Sequence, residues 1–187
     1  MINNYIIEKI LGEGSFAQVK LCRDKNTDVQ YAIKLMNKKE LKRKINPNGR
    51  SAYECVLEEI KVLQKLEHPN IIWLHEIIDD PLKDDYIYLV TEYHSKGSLG
   101  DHIKKLNLKF KEHNLICKKS GKYEDVKSVG ISANIARFYF IDMLKALHYC
   151  HNIIKVFHRD IKPDNIMLNH NNEAVLIDFG VSTLMEE

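Results

Sequence analysis

The segment FHRDIKPDNIML, residues 157–168, places three polar side chains at short fixed intervals between two apolar runs. Asp160 can accept a hydroxyl proton, Lys162 can neutralise a phosphoryl group in transfer, and Asn165 can bind Mg²⁺ through its amide oxygen. Asp178, in the segment LIDFG, offers a second oxygen ligand after a strand that we expect to return beside this loop. Each short motif alone is also typical of a polar turn, so a prediction of phosphoryl transfer needs the remaining parts of such a site.

A glycine-rich turn, GEGSFAQV at residues 12–19, lies between two predicted strands. Glycine lets backbone N–H groups approach phosphate oxygens because no side chain intervenes. The turn does not open a helix, which argues against a Rossmann site, and no GK[ST] follows, which argues against a P-loop. A GxG in a hairpin is more often only a tight turn; the functional alternative is a flap over a nucleotide, formed around Gly12 and Gly14.

Lys34 lies within the apolar strand segment YAIKLM, where a cation is costly to bury without a partner. The expected partner is Glu59 on the following helix, next to its apolar stripe, or Glu58 if the helical phase differs by one position. Such an ion pair would direct Lys34 toward the α- and β-phosphates of a nucleotide. A lysine that extends its charge to the surface is the alternative.

The hydrophobic pattern predicts an α+β chain. Three antiparallel strands are expected in the first third, followed by an amphipathic helix over residues 51–66 and by strands over residues 71–79 and 85–93. Lys96-Gly97-Ser98 then marks a break that suits a hinge between lobes.

Two segments of the second half differ in character. Residues 104–127 are rich in lysine and show little apolar periodicity, so we expect a mobile solvated loop rather than a binding patch. Residues 133–151 predict a helix that is apolar on more than one face and buried on several sides, and short strands with polar loops follow it.

The composition restricts the classes of protein. With 44% hydrophobic and 29% charged residues and a formal net charge of +2, the chain reads as a soluble globular protein without a drive toward nucleic acid or a membrane. The four cysteines form no CxxC pair and no HExxH spacing occurs, which disfavours zinc, redox chemistry and a metal-dependent hydrolase. We expect reduced thiols, a location in the cytoplasm or nucleus, and neither a signal peptide nor a membrane span.

Taken together and in order, these motifs resemble the signature set of eukaryotic-type protein kinases, from near the N-terminus through DFG. The resemblance implies a protein-kinase-like two-lobe α+β fold, with an antiparallel sheet in the N-lobe and a partial helical C-lobe, and it implies ATP and Mg²⁺. It assigns phosphate binding to Lys34 paired with Glu59, the catalytic base to Asp160 with Lys162 beside it, and the metal to Asn165 and Asp178.

The same resemblance implies the lobes and the adenine site. Residues 1–94 would form the N-lobe and hinge, and residues 95–187 a partial C-lobe with a lysine-rich insertion near 104–127. Glu92, Tyr93 and His94 would be the hinge whose backbone meets adenine, and Thr91 would guard the rear pocket. The remaining nucleotide contacts would come from Leu11, Gly12, Gly14, Val19, Ala32 and Met167. His158 and Phe179 would support the site from within the core.

Within the family, Lys162 in HRDIKPDN is typical of serine/threonine kinases, whereas tyrosine kinases usually have an Ala/Arg pattern there. The segments AIKLMNKKELKRK, EEIKVLQKLEHPNII, IIDDP, ARFYF and DFGVS are similar to calcium/calmodulin-dependent protein kinase kinases. This similarity implies that the substrate is another kinase and that calmodulin acts only through segments beyond this sequence. Arg159, next to Asp160, would pair with a phosphorylated activation loop.

Two features depart from the family pattern. The third glycine of the loop is Ala17, for which we expect a modest effect because a methyl group fits where φ is negative. The sequence ends at Glu187, seven residues after Gly180 and before an APE motif, so the resemblance covers the N-terminal part of a catalytic domain. The helix at residues 135–151 should then expose Phe, Met and Leu side chains. An ATP-binding but non-catalytic interaction module is the alternative function.

Overall fold

The computed structural model describes residues 2–14, 17–80, 85–120 and 130–184, and for residues 110–120 it describes the backbone alone. Five strands form one antiparallel sheet in the order β1-β2-β3-β5-β4. The strands are β1 (Tyr5–Glu13), β2 (Ala17–Asp24), β3 (Gln30–Asn37), β4 (Leu74–Ile78) and β5 (Tyr86–Glu92). The strands predicted for the first half are confirmed, and β3 lies between β2 and β5.

The outer face of this sheet carries a small core of its own. Tyr5, Ile33, Tyr88 and Val90 are buried there. Because successive side chains of a strand point to opposite faces, burying Ile33 on this side turns its neighbour Lys34 to the other face. The alternation therefore explains how an apolar strand presents a lysine to the interior of the molecule.

Two helices lie between β3 and β4. The sequence did not predict α1 (Lys38–Arg43), which begins where the Asn37 side chain accepts hydrogen bonds from two backbone N–H groups. The predicted amphipathic helix is confirmed as α2 (Ala52–Leu63), and Ser51 and Glu54 form a reciprocal capping box at its start. Its buried residues are Val56, Glu59, Ile60, Val62 and Leu63.

The lysine-rich segment is helical. The prediction of a mobile loop over residues 104–127 is wrong up to Ser120, because α3 (Leu99–Ser120) is one continuous helix. Its residues Leu99, Ile103 and Leu106 recur at helical spacing and line a groove against α4 (Ala133–His148). The apolar spacing begins at Leu99, before the lysine-rich stretch, so that stretch taken alone does not show the periodicity of a helix. Lysine is also a good helix former, and a high lysine content therefore does not argue against a helix. Residues 121–127 of the predicted loop lie outside the described residues.

The second predicted helix is confirmed as α4, which continues into a π-helix over Tyr149–Ile154. It is not buried on several sides: Met143 and Ala146 are buried, but Phe138 is 68% and Phe140 64% exposed. The expected exposure of phenylalanine and leucine is thus confirmed, whereas the expected exposure of methionine is wrong for Met143. Within the described residues, none of the helices is long and apolar enough to cross a membrane.

Two short hairpins complete the described structure. β6 (Val156–Phe157) pairs with β9 (Thr183–Leu184), and β7 (Ile166–Leu168) pairs with β8 (Ala174–Leu176). β8 is bound to the loop before β4 by two hydrogen bonds of Asn70. Its side-chain amide donates to the Ala174 carbonyl at 2.9 Å, and its backbone carbonyl accepts from the Leu176 N–H at 2.8 Å. One core cluster then joins α2, α4, β7 and β8 with Phe179. Helices and strands that are far apart in the sequence are therefore packed on one hydrophobic core.

Candidate active site

Lys34 and Glu59 form an ion pair between β3 and α2. Lys34 Nζ lies 2.9 Å from Glu59 Oε1 and 3.2 Å from Oε2. Glu59 is 7% exposed, so its carboxylate needs this partner to offset the cost of burial. Glu58, the alternative, pairs with Arg50 at the surface. The phase of α2 decides between the two, because Glu59 shares the buried face of the helix with Ile60.

Asp178 lies close to this ion pair. A Cβ atom built on Gly180 would lie 3.5 Å from Glu59 Oε2 and 3.2 Å from Asp178 Oδ1. Asp178 is exposed and has a left-handed backbone with φ of 64°, and its Oδ1 accepts the Gly180 N–H at 3.3 Å. Left-handed backbone is costly for a residue other than glycine. The local hydrogen bond from the Gly180 N–H to the Asp178 carboxylate helps to offset this cost.

The loop between β6 and β7 gathers Asp160, Lys162 and Asn165. Lys162 Nζ donates to Asp160 Oδ2 at 2.5 Å, and Asn165 Nδ2 donates to the same oxygen at 2.8 Å. The Lys162 ammonium, helped by Asn165 and opposed by partial desolvation, holds the pKa of Asp160 below its usual range. Asp160 is therefore an anion at neutral pH. Because the amide nitrogen of Asn165 is engaged, its amide oxygen is the atom left to bind a cation.

His158 connects this loop to the strand that leads to Asp178. The Asp160 N–H donates to His158 Nδ1 at 3.2 Å, and His158 Nε2 donates to the Ile177 carbonyl at 2.9 Å. These contacts require a neutral ring protonated on Nε2. Burial disfavours the charged ring and so lowers the pKa of His158, which agrees with the neutral form. Phe179 packs edge-on against the ring at 4.7 Å between centroids, and both side chains are 1% exposed.

A backbone hydrogen bond links the segments that carry the two predicted metal ligands, because the N–H of Ile177, the residue before Asp178, donates to the Asn165 carbonyl at 3.0 Å. Among the described residues, no three His, Cys, Asp or Glu side chains gather closely enough to hold a metal by themselves. Mg²⁺ commonly takes one or two protein oxygens and fills its other positions with phosphate oxygens and water. Asn165 and Asp178 therefore fit nucleotide-bound Mg²⁺.

Two glycines, Gly12 and Gly14, lie where the chain passes from β1 toward β2. The Gly14 N–H donates to the Ala17 carbonyl at 2.8 Å, and Ser15 and Phe16 lie outside the described residues. A Cβ built on Gly12 has no heavy atom of the described residues within 4 Å, whereas one on Gly14 would touch the Ala17 carbonyl at 3.6 Å, an ordinary van der Waals distance. The space beside Gly12 is thus open toward the described part of the chain. Val19 of β2 lies opposite Gly12 of β1 on one side and opposite Lys34 of β3 on the other. Gly12 and Lys34 are therefore separated by one strand of the sheet.

The residues of the predicted adenine site are spread over five strands, β1, β2, β3, β5 and β7. Thr91 lies opposite Ala32 in the β3–β5 register, and its hydroxyl donates to the Ala32 carbonyl at 3.4 Å. Met167 lies opposite Ser98 in an isolated bridge. Leu11 is 39% exposed on β1. The remaining predicted residues are Val19 on β2, Glu92 at the end of β5, and Tyr93 and the buried His94 after it.

The end of β5 is also hydrogen-bonded to the loop before β4. The Glu92 N–H donates to the Trp73 carbonyl at 3.2 Å, and Glu92 Oε1 accepts the Trp73 N–H at 3.0 Å. The Glu92 side chain is therefore occupied by the loop before β4. This role was not foreseen in the sequence, because nothing in the local pattern relates two residues nineteen positions apart.

Other contacts at the site also escaped sequence reasoning. Arg159, with φ of 66°, donates to the Val181 carbonyl at 2.7 Å and so holds the segment after DFG through its backbone. Its pairing with a phosphorylated residue stays a prediction. Lys104 of α3 pairs with Asp164 of the loop at 2.8 Å. Lys104 and Asp164 are sixty residues apart in the sequence, and no local pattern predicts their contact.

The sequence of the chain is similar to that of known proteins. Residues 5–187 match the family described as the protein kinase domain. The chain is 34% identical over 188 residues to a probable serine/threonine-protein kinase of Dictyostelium discoideum, covering 100% of this chain and 23% of that protein. It is 38% identical over 182 residues to serine/threonine-protein kinase ssp1 of Schizosaccharomyces pombe, covering 97% of this chain and 24% of that protein.

A third relative is calcium-dependent protein kinase 4 of Plasmodium falciparum, 36% identical over 189 residues, with 95% of this chain and 28% of that protein covered. The chain spans about a quarter of the length of these relatives. Since the family match extends over almost the whole sequence, the chain belongs to the protein kinase family.

Proposed function

We propose that this chain is the ATP- and Mg²⁺-dependent catalytic region of a serine/threonine protein kinase, with residues 1–94 as the smaller lobe and hinge and residues 95–187 as part of the larger lobe. One observation carries the proposal: the Lys34–Glu59 pair, Asp160 and Asp178 come from distant segments, yet continuous contacts connect them. Glu59 lies against Gly180, and His158 bonds to both the Asp160 and Ile177 backbones.

The first half of the chain binds the nucleotide in this proposal. Lys34, fixed by Glu59, contacts the α- and β-phosphates, and the backbone around Gly12 and Gly14 covers them. The backbone of the hinge meets the edge of adenine. The apolar walls of the adenine site are Leu11, Val19, Ala32 and Met167. Binding then depends on the distance between the hinge and the strand that carries Met167.

The second half performs the transfer. The substrate hydroxyl donates a hydrogen bond to Asp160, its oxygen forms the new bond to the γ-phosphorus, the bond to ADP breaks, and the proton passes to Asp160. Because the pKa of Asp160 is held low, its main contribution is orientation, which is sufficient for a loose transition state. Lys162 offsets charge on the transferring group. Mg²⁺ held by Asn165 and Asp178 would supply further neutralisation of the phosphates.

The substrate that we propose is another kinase, phosphorylated on serine or threonine in its activation loop. The similarity to calcium/calmodulin-dependent protein kinase kinases supports this substrate class, and Lys162 in the loop and the names of the relatives support serine/threonine specificity. We place the protein in the cytoplasm, and any calmodulin control would act through segments outside this sequence.

Thermal unfolding with and without Mg·ATP tests the nucleotide site. A ligand that binds only the folded state stabilises it by about 2.7 kcal/mol at a hundredfold excess over Kd. We expect a rise in Tm for the wild-type chain and for Lys65→Met, an exposed control, and no rise for Lys34→Met or Asp178→Asn. A folded wild-type chain whose Tm does not respond would contradict the proposal.

Phosphotransfer to a kinase whose own catalytic base has been substituted tests the reaction. We expect label on serine or threonine of its activation loop, and none when those residues are replaced by tyrosine. Nucleotide binding without transfer to any protein would instead support the non-catalytic interaction module. Transfer to unrelated proteins with equal efficiency would remove the proposed substrate class while leaving the kinase reaction in place.

A further inference from the structure

The chain turns sharply just after the hinge, over residues 94–98, which we call the hinge-exit turn. The Gly97 N–H donates to the His94 carbonyl at 3.2 Å, and Gly97 has φ of 78°, a left-handed conformation that favours glycine. Ser98 is buried and caps α3 by accepting the Asp101 N–H at 3.0 Å. The turn therefore fixes the path from the hinge into α3.

The hinge-exit turn also contacts the β7–β8 hairpin through its backbone. The Leu168 N–H donates to the Gly97 carbonyl at 3.0 Å, and Ser98 forms a bridge with Met167. These contacts set how far the hinge lies from β7. They are few, because β7 has only three residues and its other edge is paired with β8.

Lys96 adds a third connection, between the hinge-exit turn and the far end of the same hairpin. Its Nζ donates to the His170 carbonyl and to Asn172 Oδ1, each at 2.7 Å. Its own carbonyl is held by His102 Nε2 of α3 at 2.8 Å. A cation donating to two neutral oxygens makes charge-assisted hydrogen bonds, which are stronger than those between neutral groups. Lys96 is thus held at its backbone and at its tip.

We propose that Lys96 is a positioning residue of the nucleotide site, which sets affinity for the adenine group by clasping the hinge to the hairpin that carries Met167. The inference rests on the proposed function, because it takes the hinge and Met167 as two sides of the adenine site. A planar ring between two surfaces binds well only at one separation, since dispersion contacts fall steeply with distance. The clasp holds that separation before the ligand arrives, which reduces the cost of binding.

The clasp can be tested with adenosine and Mg·ATP as separate probes, using binding constants of the 187-residue chain. Lys96→Met should raise Kd for both probes by the same factor, roughly three- to tenfold, as expected for one or two exposed charge-assisted contacts. Lys96→Arg should restore most of the affinity, because a guanidinium can donate to both oxygens. In the proposed kinase reaction, KM for ATP should rise while kcat stays within about twofold.

A double-mutant cycle isolates the contact. Asn172 has φ of 63°, so Asn172→Gly removes the acceptor and leaves the backbone unstrained. Its effect should be smaller than that of Lys96→Met because the His170 carbonyl remains, and the double variant should bind no more weakly than Lys96→Met alone. Lys65→Met, an exposed lysine on the loop after α2, is the matched control and should leave both Kd values unchanged.

Hydrogen exchange provides a readout that does not need a ligand. The Leu168 amide, which donates to Gly97, should exchange faster in Lys96→Met than in wild type, while amides of β2 and β3 keep their rates.

The results distinguish a failure of the proposed function from a failure of the Lys96 clasp alone. A wild-type chain that binds neither probe would contradict the proposed function and this inference with it. Wild-type binding that Lys96→Met leaves unchanged, a loss for Mg·ATP without one for adenosine, or additive effects in the cycle would overturn the clasp alone.

Discussion

The active-site cleft and the groove between α3 and α4 are two concave regions built in opposite ways. In the cleft, polar groups fix one another: Asp160 accepts from Lys162 and Asn165, and Glu59 is buried against Lys34. The groove, of about 490 Å³, is lined almost entirely by apolar side chains such as Leu106 and Tyr139. Chemistry needs fixed charges, so the cleft and not the apolar groove is the reactive region.

The two regions should also respond differently to substitution. Each cleft residue holds a neighbour in place, so its loss spreads to the neighbour. The exposed apolar residues of α4 contribute little in this chain, because apolar surface stabilises only when it is removed from water. The predictions below test that contrast.

The largest expected effect is on catalysis. Asp160→Asn should reduce phosphotransfer by about 10³-fold, because a neutral amide orients the substrate hydroxyl less well than the carboxylate and cannot take up its proton. The Kd for Mg·ATP should stay within about threefold of wild type, since the asparagine amide oxygen can still accept from Asn165 and keep that side chain in place. Single-turnover transfer and equilibrium binding measure the two quantities separately. A parallel loss of nucleotide affinity would mean that Asp160 supports the binding site as well.

Phe179 tests the support beneath the cleft. The side chain is 1% exposed and packs on His158, so Phe179→Ala should lower the free energy of unfolding by about 3–4 kcal/mol through the cavity it leaves. Urea denaturation followed by circular dichroism gives the value, and Phe179→Leu should recover about half of it. If Phe179→Ala costs less than about 1 kcal/mol, the DFG segment is not anchored in the core.

Gly100 tests the junction between α3 and the catalytic loop. A Cβ atom at this position would lie 2.4 Å from Asp164 Oδ1 and 3.2 Å from the Asp164 Cα atom. Gly100→Ala should therefore destabilise the chain by about 1–2 kcal/mol despite the better helix propensity of alanine. Gly130→Ala, where a Cβ would meet no described residue within 4 Å, is the control and should be close to neutral. Equal effects in the two variants would contradict the tight junction.

The pH dependence of stability follows from His158. Burial lowers its pKa in the folded chain, so below the ordinary histidine pKa of about 6.5 the unfolded chain binds more protons than the folded one. The free energy of unfolding should accordingly fall as the pH drops from about 7 toward the lowered folded pKa, and should level off above the ordinary value.

His68 contributes in the same direction, because burial and then Lys145 lower its pKa as well. His68→Asn should therefore reduce the slope without abolishing it. Stability that rises on acidification through this range would show that His158 is charged in the folded chain.

The smallest effect is expected on α4. Phe138 is 68% exposed, so Phe138→Ser should change the free energy of unfolding by less than about 0.5 kcal/mol while improving solubility. Urea denaturation at two protein concentrations measures it. A loss above about 1 kcal/mol, or one that depends on concentration, would show that another surface covers this face in solution.

Sequence reasoning was strongest where one element carries its own signal. Alternation identified the strands of the sheet, and the spacing of Val56, Ile60 and Leu63 identified α2. It was weakest for α3, because Ser98, which caps this helix, and Leu99, which begins its apolar face, lie before the lysine-rich segment that was predicted to be a loop. It also expected α4 to be covered on several sides, although a pattern of apolar residues states what could be buried and not what lies against it.

The chemical groups of this protein and their order could be read from the sequence, because strand alternation, helical spacing and short motifs are properties of neighbouring residues. Three contacts could be seen only in the folded chain: Glu59 and not Glu58 meets Lys34, His158 joins Asp160 to Ile177, and Lys96 reaches the hairpin at Asn172. These contacts join residues far apart in the chain. Their formation depends on how elements pack on a shared core, and no local pattern contains that information.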